Sequence, residues 1–159
     1  MRPAAPKSKT PRSRSRDQAA TRRRLIQAVG SLLARQGFTA LGVNAVAKEA
    51  GVDKVLIYRY FGGLPELLGA FGTSGKFWPS VEEMIGDDLA ALRKMPLAQS
   101  VPAVMGKYIR AIRRRPLTRE ILAWESVERN ELTRVLETIR EKVSLELFAT
   151  LGIDIQNTP

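Results

Sequence analysis

The sequence predicts an all-α protein, an N-terminal three-helix unit of the helix-turn-helix kind followed by a helical bundle. Three observations predict it. Apolar residues recur three and four positions apart along most of the chain. Glycine, proline and Asp or Ser caps cut that pattern at helix lengths. No segment alternates apolar with polar residues as a strand would, and no internal repeat is present.

Residues 1–17 are rich in Pro, Ser, Lys and Arg and hold no large apolar side chain after Met1. Nothing there offsets the entropy of ordering, so a disordered basic tail is expected. From about Gln18, Leu25, Ile26, Val29, Leu32 and Leu33 recur at helix spacing and Gly37 is the expected stop. A second helix is expected from Val43 to Ala50, closed by Gly51, and a third from the N-cap Asp53 to Gly62 and Gly63. Pro65 suits the first turn of a fourth helix through Leu67, Leu68 and Phe71. It runs on past Gly69, Gly72 and Gly75, each costing about 1 kcal/mol relative to Ala.

Ser80 and Glu83 have capping-box spacing and open a fifth helix that Pro96 ends. The sixth runs from about Ser100 to Arg115, where Arg113, Arg114 and Arg115 suit the negative end of the dipole and Pro116 enforces the stop. The seventh spans about Thr118 to Glu128. The eighth spans about Glu131 to Leu151, with Leu132, Val135, Leu136, Ile139, Val143, Leu147 and Leu151 on one side. The domain division expected is a tail at 1–17, a helix-turn-helix domain at 18–68 and a C-terminal helical domain at 69–159.

Charge is distributed unevenly. The formal net charge is +10, and residues 1–24 carry nine basic side chains against one acid, Asp17. Such a block suits a polyanionic partner, phosphate above all; the alternatives are a solubilising tail or an organelle transit peptide. Three prolines in the first twenty residues and the lack of an apolar stripe argue against the last. The chain has no cysteine and no histidine, which removes thiol chemistry, thiolate metal sites and the usual neutral-pH acid/base group. No enzymatic activity, cofactor or metal is expected. No apolar run approaches a membrane span and no apolar segment follows the N-terminal charges, so a cytoplasmic protein is expected.

The second and third helices are separated by a turn containing Gly51 and Val52, short enough for a helix-turn-helix. On the third, Lys54, Val55, Tyr58 and Arg59 share one face, while Ile57 and Phe61 take the other as core anchors. A polar, aromatic and basic face opposite an apolar one lets one side pack while the other meets base edges and phosphates.

From Thr21 to Leu68 the sequence resembles, without gaps, the N-terminal domain of the tetracycline-repressor-like (TetR/AcrR) family. The resemblance rests on Gly37-Phe38, Val46-Ala47, Ala50-Gly51-Val52 and Ile57-Tyr58-Arg59-Tyr60-Phe61. It implies a sequence-specific transcriptional regulator, a repressor released from a double-stranded operator by a small-molecule effector and acting as a homodimer. Lys54, Val55, Leu56 and Arg59 become candidates for base edges, and Tyr58 and Tyr60 for phosphate, with Asn44 beside them. Lys and Arg donate to guanine acceptors, and Val or Leu touches a thymine methyl. Leu56 suits packing equally well. Arg22, Arg23 and Arg24, placed in a first helical turn where they oppose the dipole, are further phosphate candidates. Gly42, Asp53 and Leu64 depart from the family pattern, each removing a phosphate contact or adding repulsion.

The resemblance assigns effector binding and dimerisation to the C-terminal half. Trp78, Met105, Tyr108 and Trp124 are the candidate ligand contacts, with core packing as the alternative for each. Glu125, Glu128 and Arg129 near Trp124 would orient a polar effector or form a solvated face. The family's last two helices commonly form an intersubunit bundle, whereas this chain ends soon after its eighth helix. The usual last helix is therefore expected to be missing. Dimerisation then falls to the seventh and eighth helices, or the sequence is part of a longer one. The competing functions are a non-specific nucleic-acid-binding or architectural protein, and an enzyme using Asp87 with Asp88 or Glu82 with Glu83. Neighbours on a helix do not converge on one substrate, which disfavours the enzyme.

Overall fold

The computed structural model describes residues 11–153, with side chains from residue 15 onward. Among them are nine α-helices and no strand: α1 (Pro11–Gln36), α2 (Val43–Ala50), α3 (Val55–Phe61), α4 (Leu64–Gly72), α5 (Val81–Ile85), α6 (Leu89–Lys94), α7 (Leu97–Arg113), α8 (Pro116–Val127) and α9 (Glu131–Leu151).

The first helix begins at Pro11 rather than near Gln18. The expected tail at 1–17 thus overlaps this helix at 11–17, and its remainder lies outside the described residues. The packed turns around Leu25 and Val29 supply the costly helix nucleus, after which each added residue brings a backbone bond. Proline is suited to the first helical position. The helix ends where expected, with Gly37 at φ 72° donating its amide to the Leu33 carbonyl at 3.1 Å.

Helices α1 to α4 pack around Leu25, Val29, Leu33, Val46, Ile57, Leu67 and Leu68, all fully or almost fully buried. Phe71, Phe77, Trp78, Ile121 and Leu136 belong to the same apolar cluster. One continuous core therefore runs across residue 68. A smaller cluster of Val81, Met84, Ile85, Leu92 and Val104 joins α5, α6 and α7.

The fourth and fifth helices also depart from their predicted extents, as do the starts of α7 at Leu97 and α8 at Pro116. α4 stops at Gly72, and Gly75 lies beyond it at φ 71°. The reason Gly72 is glycine is contact with α9: a Cβ there would lie 2.2 Å from Ile139 Cδ1 and 3.1 Å from Leu136 Cδ2. The predicted fifth helix opens on its capping box, Glu83 N donating to Ser80 Oγ at 3.3 Å and Ser80 N to Glu83 Oε2 at 3.1 Å. It then breaks at Gly86, φ 65°, into a 3-10 turn (Gly86–Asp88) and α6. Lys107 from α7 stabilises the break, its Nζ donating to the Ile85 carbonyl and to Asp88 Oδ2, both at 2.6 Å.

Pro116 does more than stop α7, since it also occupies the first turn of α8. α9 has the predicted bounds. Asn130 caps it by accepting from Leu132 N at 2.9 Å and Thr133 N at 3.1 Å, and Gly152 closes it in the left-handed region.

Candidate nucleic-acid interface

The turn between α2 and α3 is built by backbone bonds that its sequence permits. Gly51 adopts φ 61°, ψ 43°, donating to Lys48 O at 3.1 Å while Val52 N donates to Ala47 O at 3.0 Å. This is a Schellman closure, and the left-handed residue favours glycine. Asp53 then opens α3 as predicted, its Oδ1 accepting from Val55 N at 2.8 Å. Gly42 precedes α2 with no side-chain cap and open space around its missing Cβ.

On α3, Ile57 is fully buried and is the anchor. Lys54, Val55, Tyr58 and Arg59 all face solvent, Val55 at 59% and Tyr58 at 55% exposure. Leu56 and Tyr60 are half-buried, and Asn44 is exposed near the start of α2. Phe61, expected as a second core anchor, is only half-buried, because one ring face is covered by the Arg22 guanidinium at 4.2 Å rather than by the core.

The three arginines of α1 divide. Arg22 Nη1 donates to the Tyr60 carbonyl, and Arg24 Nη2 donates to the carbonyls of Ala50 at 2.5 Å and Gly51 at 3.1 Å. Both tie α1 to the helix-turn-helix, and Arg24 also places a cation at the negative end of α2. Arg23 is exposed. The dipole penalty argued for these residues is corrected: with α1 starting at Pro11, they lie well inside the helix, where the terminal effect has faded. Arg22→Ala is accordingly expected to cost about 1–3 kcal/mol of stability, through its charged hydrogen bond and ring contact. The slope of DNA affinity against salt should stay unchanged. Urea unfolding and a salt titration check the pair of outcomes; a slope reduced by about 1 would instead mean that Arg22 neutralises a phosphate.

The four candidate ligand contacts do not gather at one place. Trp78 is buried in a run of rings, 5.6 Å from Phe77 and 5.8 Å from Tyr108 between centroids. Met105 is exposed on α7, and Trp124 lies against Gly37 at the end of α1. Arg140 sits over the Trp78 ring at 5.5 Å and pairs with Glu125 at 2.6 Å. Burial pushes the Glu125 carboxyl up, and the hydrogen bond from Arg140 partly opposes that. Burial likewise raises the Tyr108 hydroxyl. A cleft of about 560 Å³ lies between α1, α8 and the end of α4, with Gly30, Phe71 and Leu117 in its wall and none of the four candidates lining it.

The C-terminal half also touches the loop before α2, a contact that sequence reasoning missed. Glu128 Oε2 accepts from Thr39 N at 2.8 Å, and a Cβ on Gly37 would lie 2.7 Å from the Trp124 ring and 2.4 Å from Glu128 Oε1. No sequence signal marks a bond between residues this far apart. Among the described residues no group of three potential metal-ligating side chains exists, and no helix is long and apolar enough to cross a membrane.

Residues 25–71 match the family of bacterial regulatory proteins described as the tetR family. Two solved structures share the fold at 18% identity. One is a TetR family transcription regulator from Marinobacter aquaeolei VT8 (TM-score 0.53, covering 87% of this chain and 70% of that one). The other is NalD, the secondary repressor of the MexAB-OprM multidrug efflux pump in Pseudomonas aeruginosa (TM-score 0.59, covering 85% and 66%). No curated protein matches the chain.

Proposed function

Because residues 25–71 match the bacterial regulatory proteins of the tetR family, we propose that this chain is a DNA-binding transcriptional regulator whose reading element is α3. The supporting observation is the outward face of that helix. Val55 and Tyr58 stand more than half exposed between Lys54 and Arg59, while Ile57 is the fully buried residue of the helix. Large apolar side chains displayed beside cations suit thymine methyls and phosphates better than they suit water. In this reading Lys54, Val55 and Arg59 meet base edges, with Leu56 at the margin. Tyr58 and Tyr60 meet backbone phosphate near Asn44, and Arg23 adds a charge.

The finer reading is a homodimeric repressor on a two-fold operator, working in the cytoplasm and released by a small-molecule effector. The Glu128–Thr39 bond and the Trp124–Gly37 contact support release, because a shift of α8 would be felt directly in the loop that leads into α2. Selection and sequencing of DNA fragments retained by the full chain tests the whole reading: recovery of random sequence would replace it with the architectural alternative. On the selected operator, Lys54→Ala and Arg59→Ala are each expected to weaken binding by about 1–3 kcal/mol in fluorescence anisotropy, with unchanged thermal melting. Full affinity in both variants would remove α3 as the reader.

A further inference from the structure

We infer that the cleft between α1, α8 and the end of α4 is a binding site for a small anionic amphiphile, an apolar body carrying one carboxylate. At about 560 Å³ it falls within the usual size of small-molecule sites. The phase of α1 sets its wall and its rim. Ile26, Gly30 and Ala34 recur every four residues as one strip, and Gln27, Ser31 and Arg35 recur beside it as another. The first strip is apolar and shallow, because its middle residue has no side chain. A Cβ on Gly30 would lie 2.9 Å from Phe71 Cε2 and 3.3 Å from Leu117 Cδ2, so the α4 ring and the α8 side chain close the floor against the helix backbone. The second strip faces water, with Gln27, Ser31 and Arg35 all exposed.

Charge selects the ligand. No carboxylate lines the cleft, whereas Arg35 and Lys76 both do. Arg35 is paired with Glu49 at 2.9 Å, and Lys76 enters no ion pair among the described residues. The chain at Lys76 is fixed by its neighbour, since the buried Thr118 hydroxyl donates to the Phe77 carbonyl and holds this loop against the start of α8. Exposed Arg113, Arg114 and Arg119, opposed by Glu120, flank Leu117 in the sequence and add positive potential there. An unpaired ammonium beside apolar surface suits a carboxylate whose tail lies on Phe71 and Leu117, with Gln27 and Ser31 as further donors. A neutral ligand would leave Lys76 without a partner, and a cation would be repelled. The cleft is separate from the four side chains that the resemblance made effector candidates. Its ligand goes beyond the DNA-reading assignment and does not rest on it.

Isothermal titration of the full chain with decanoate, in the absence of DNA, tests the site. One equivalent is expected to bind with a Kd below about 100 µM, and decanol, with the same body and no charge, at least ~10-fold more weakly. Lys76→Glu should weaken decanoate at least ~10-fold, and Ala34→Phe, which fills the cleft, should do the same, each at an unchanged circular dichroism spectrum. Lys94→Glu makes the same charge change at an exposed position of α6 and should leave the affinity within ~2-fold. Absence of saturable binding up to about 1 mM, the result expected if further protein chain covers the cleft, overturns the proposal. So does binding of several equivalents, equal affinity for decanol, or wild-type affinity in Lys76→Glu or in a folded Ala34→Phe. An equal loss in Lys94→Glu, the sign of diffuse charge attraction, overturns it as well. Failure of the DNA-reading assignment is distinguishable, because it would show as lost sequence preference at intact decanoate binding.

Discussion

Gly37→Ala is expected to be among the most damaging single-methyl additions in this protein. At φ 72° an L side chain costs about 1–2 kcal/mol relative to glycine. The added Cβ would also lie 2.7 Å from Trp124 and 2.4 Å from Glu128 Oε1, an overpacking that costs about 1–3 kcal/mol. Together these give about 2–5 kcal/mol, which for a chain of this length lowers Tm by roughly 4–20 °C. A thermal melt followed by circular dichroism measures it. Adding Trp124→Ala should recover the part of the steric cost owed to the ring and leave the backbone part and the Glu128 contact, so the two substitutions should be non-additive. A Gly37→Ala melt within a degree of wild type would mean that α8 does not rest on the end of α1.

The second large effect is expected at Ile57. It is fully buried and is the one residue of α3 inside the core, so Ile57→Ala should cost about 2–5 kcal/mol. It should also abolish DNA binding where the variant is largely unfolded and spare it where the variant remains folded. Urea unfolding together with anisotropy at low temperature separates this from Arg59→Ala, which should lose affinity at full stability. If Ile57→Ala unfolded at the wild-type midpoint, α3 would have to be held by Phe61 and Tyr60 instead.

Much of this protein could be read from neighbouring residues alone. The stops at Gly37, Gly51 and Gly152, the caps at Asp53 and Ser80, and the outward face of α3 depend on bonds within a few positions or on helical period. Local chemistry decides them wherever the segment sits. The basic excess before residue 24 and the run from Thr21 to Leu68 that pointed to the family are likewise properties of the chain as written.

Tertiary structure decided what depends on distant partners. Gly86 ends a helix that its sequence would continue, because a glycine inside a helix costs only about 1 kcal/mol and Lys107, on another helix, stabilises the broken form. Arg22 and Arg24 look like phosphate ligands by composition, and the fold also gives one nitrogen of each a carbonyl partner, from Tyr60, Ala50 and Gly51, between 26 and 38 residues away. Trp78 and Trp124 were equivalent as aromatic candidates, and only packing buries one among rings while laying the other on Gly37. A charged or aromatic side chain carries its chemistry in its name, but whether that chemistry is spent inside the fold or presented to a partner depends on which groups the folded chain brings within reach.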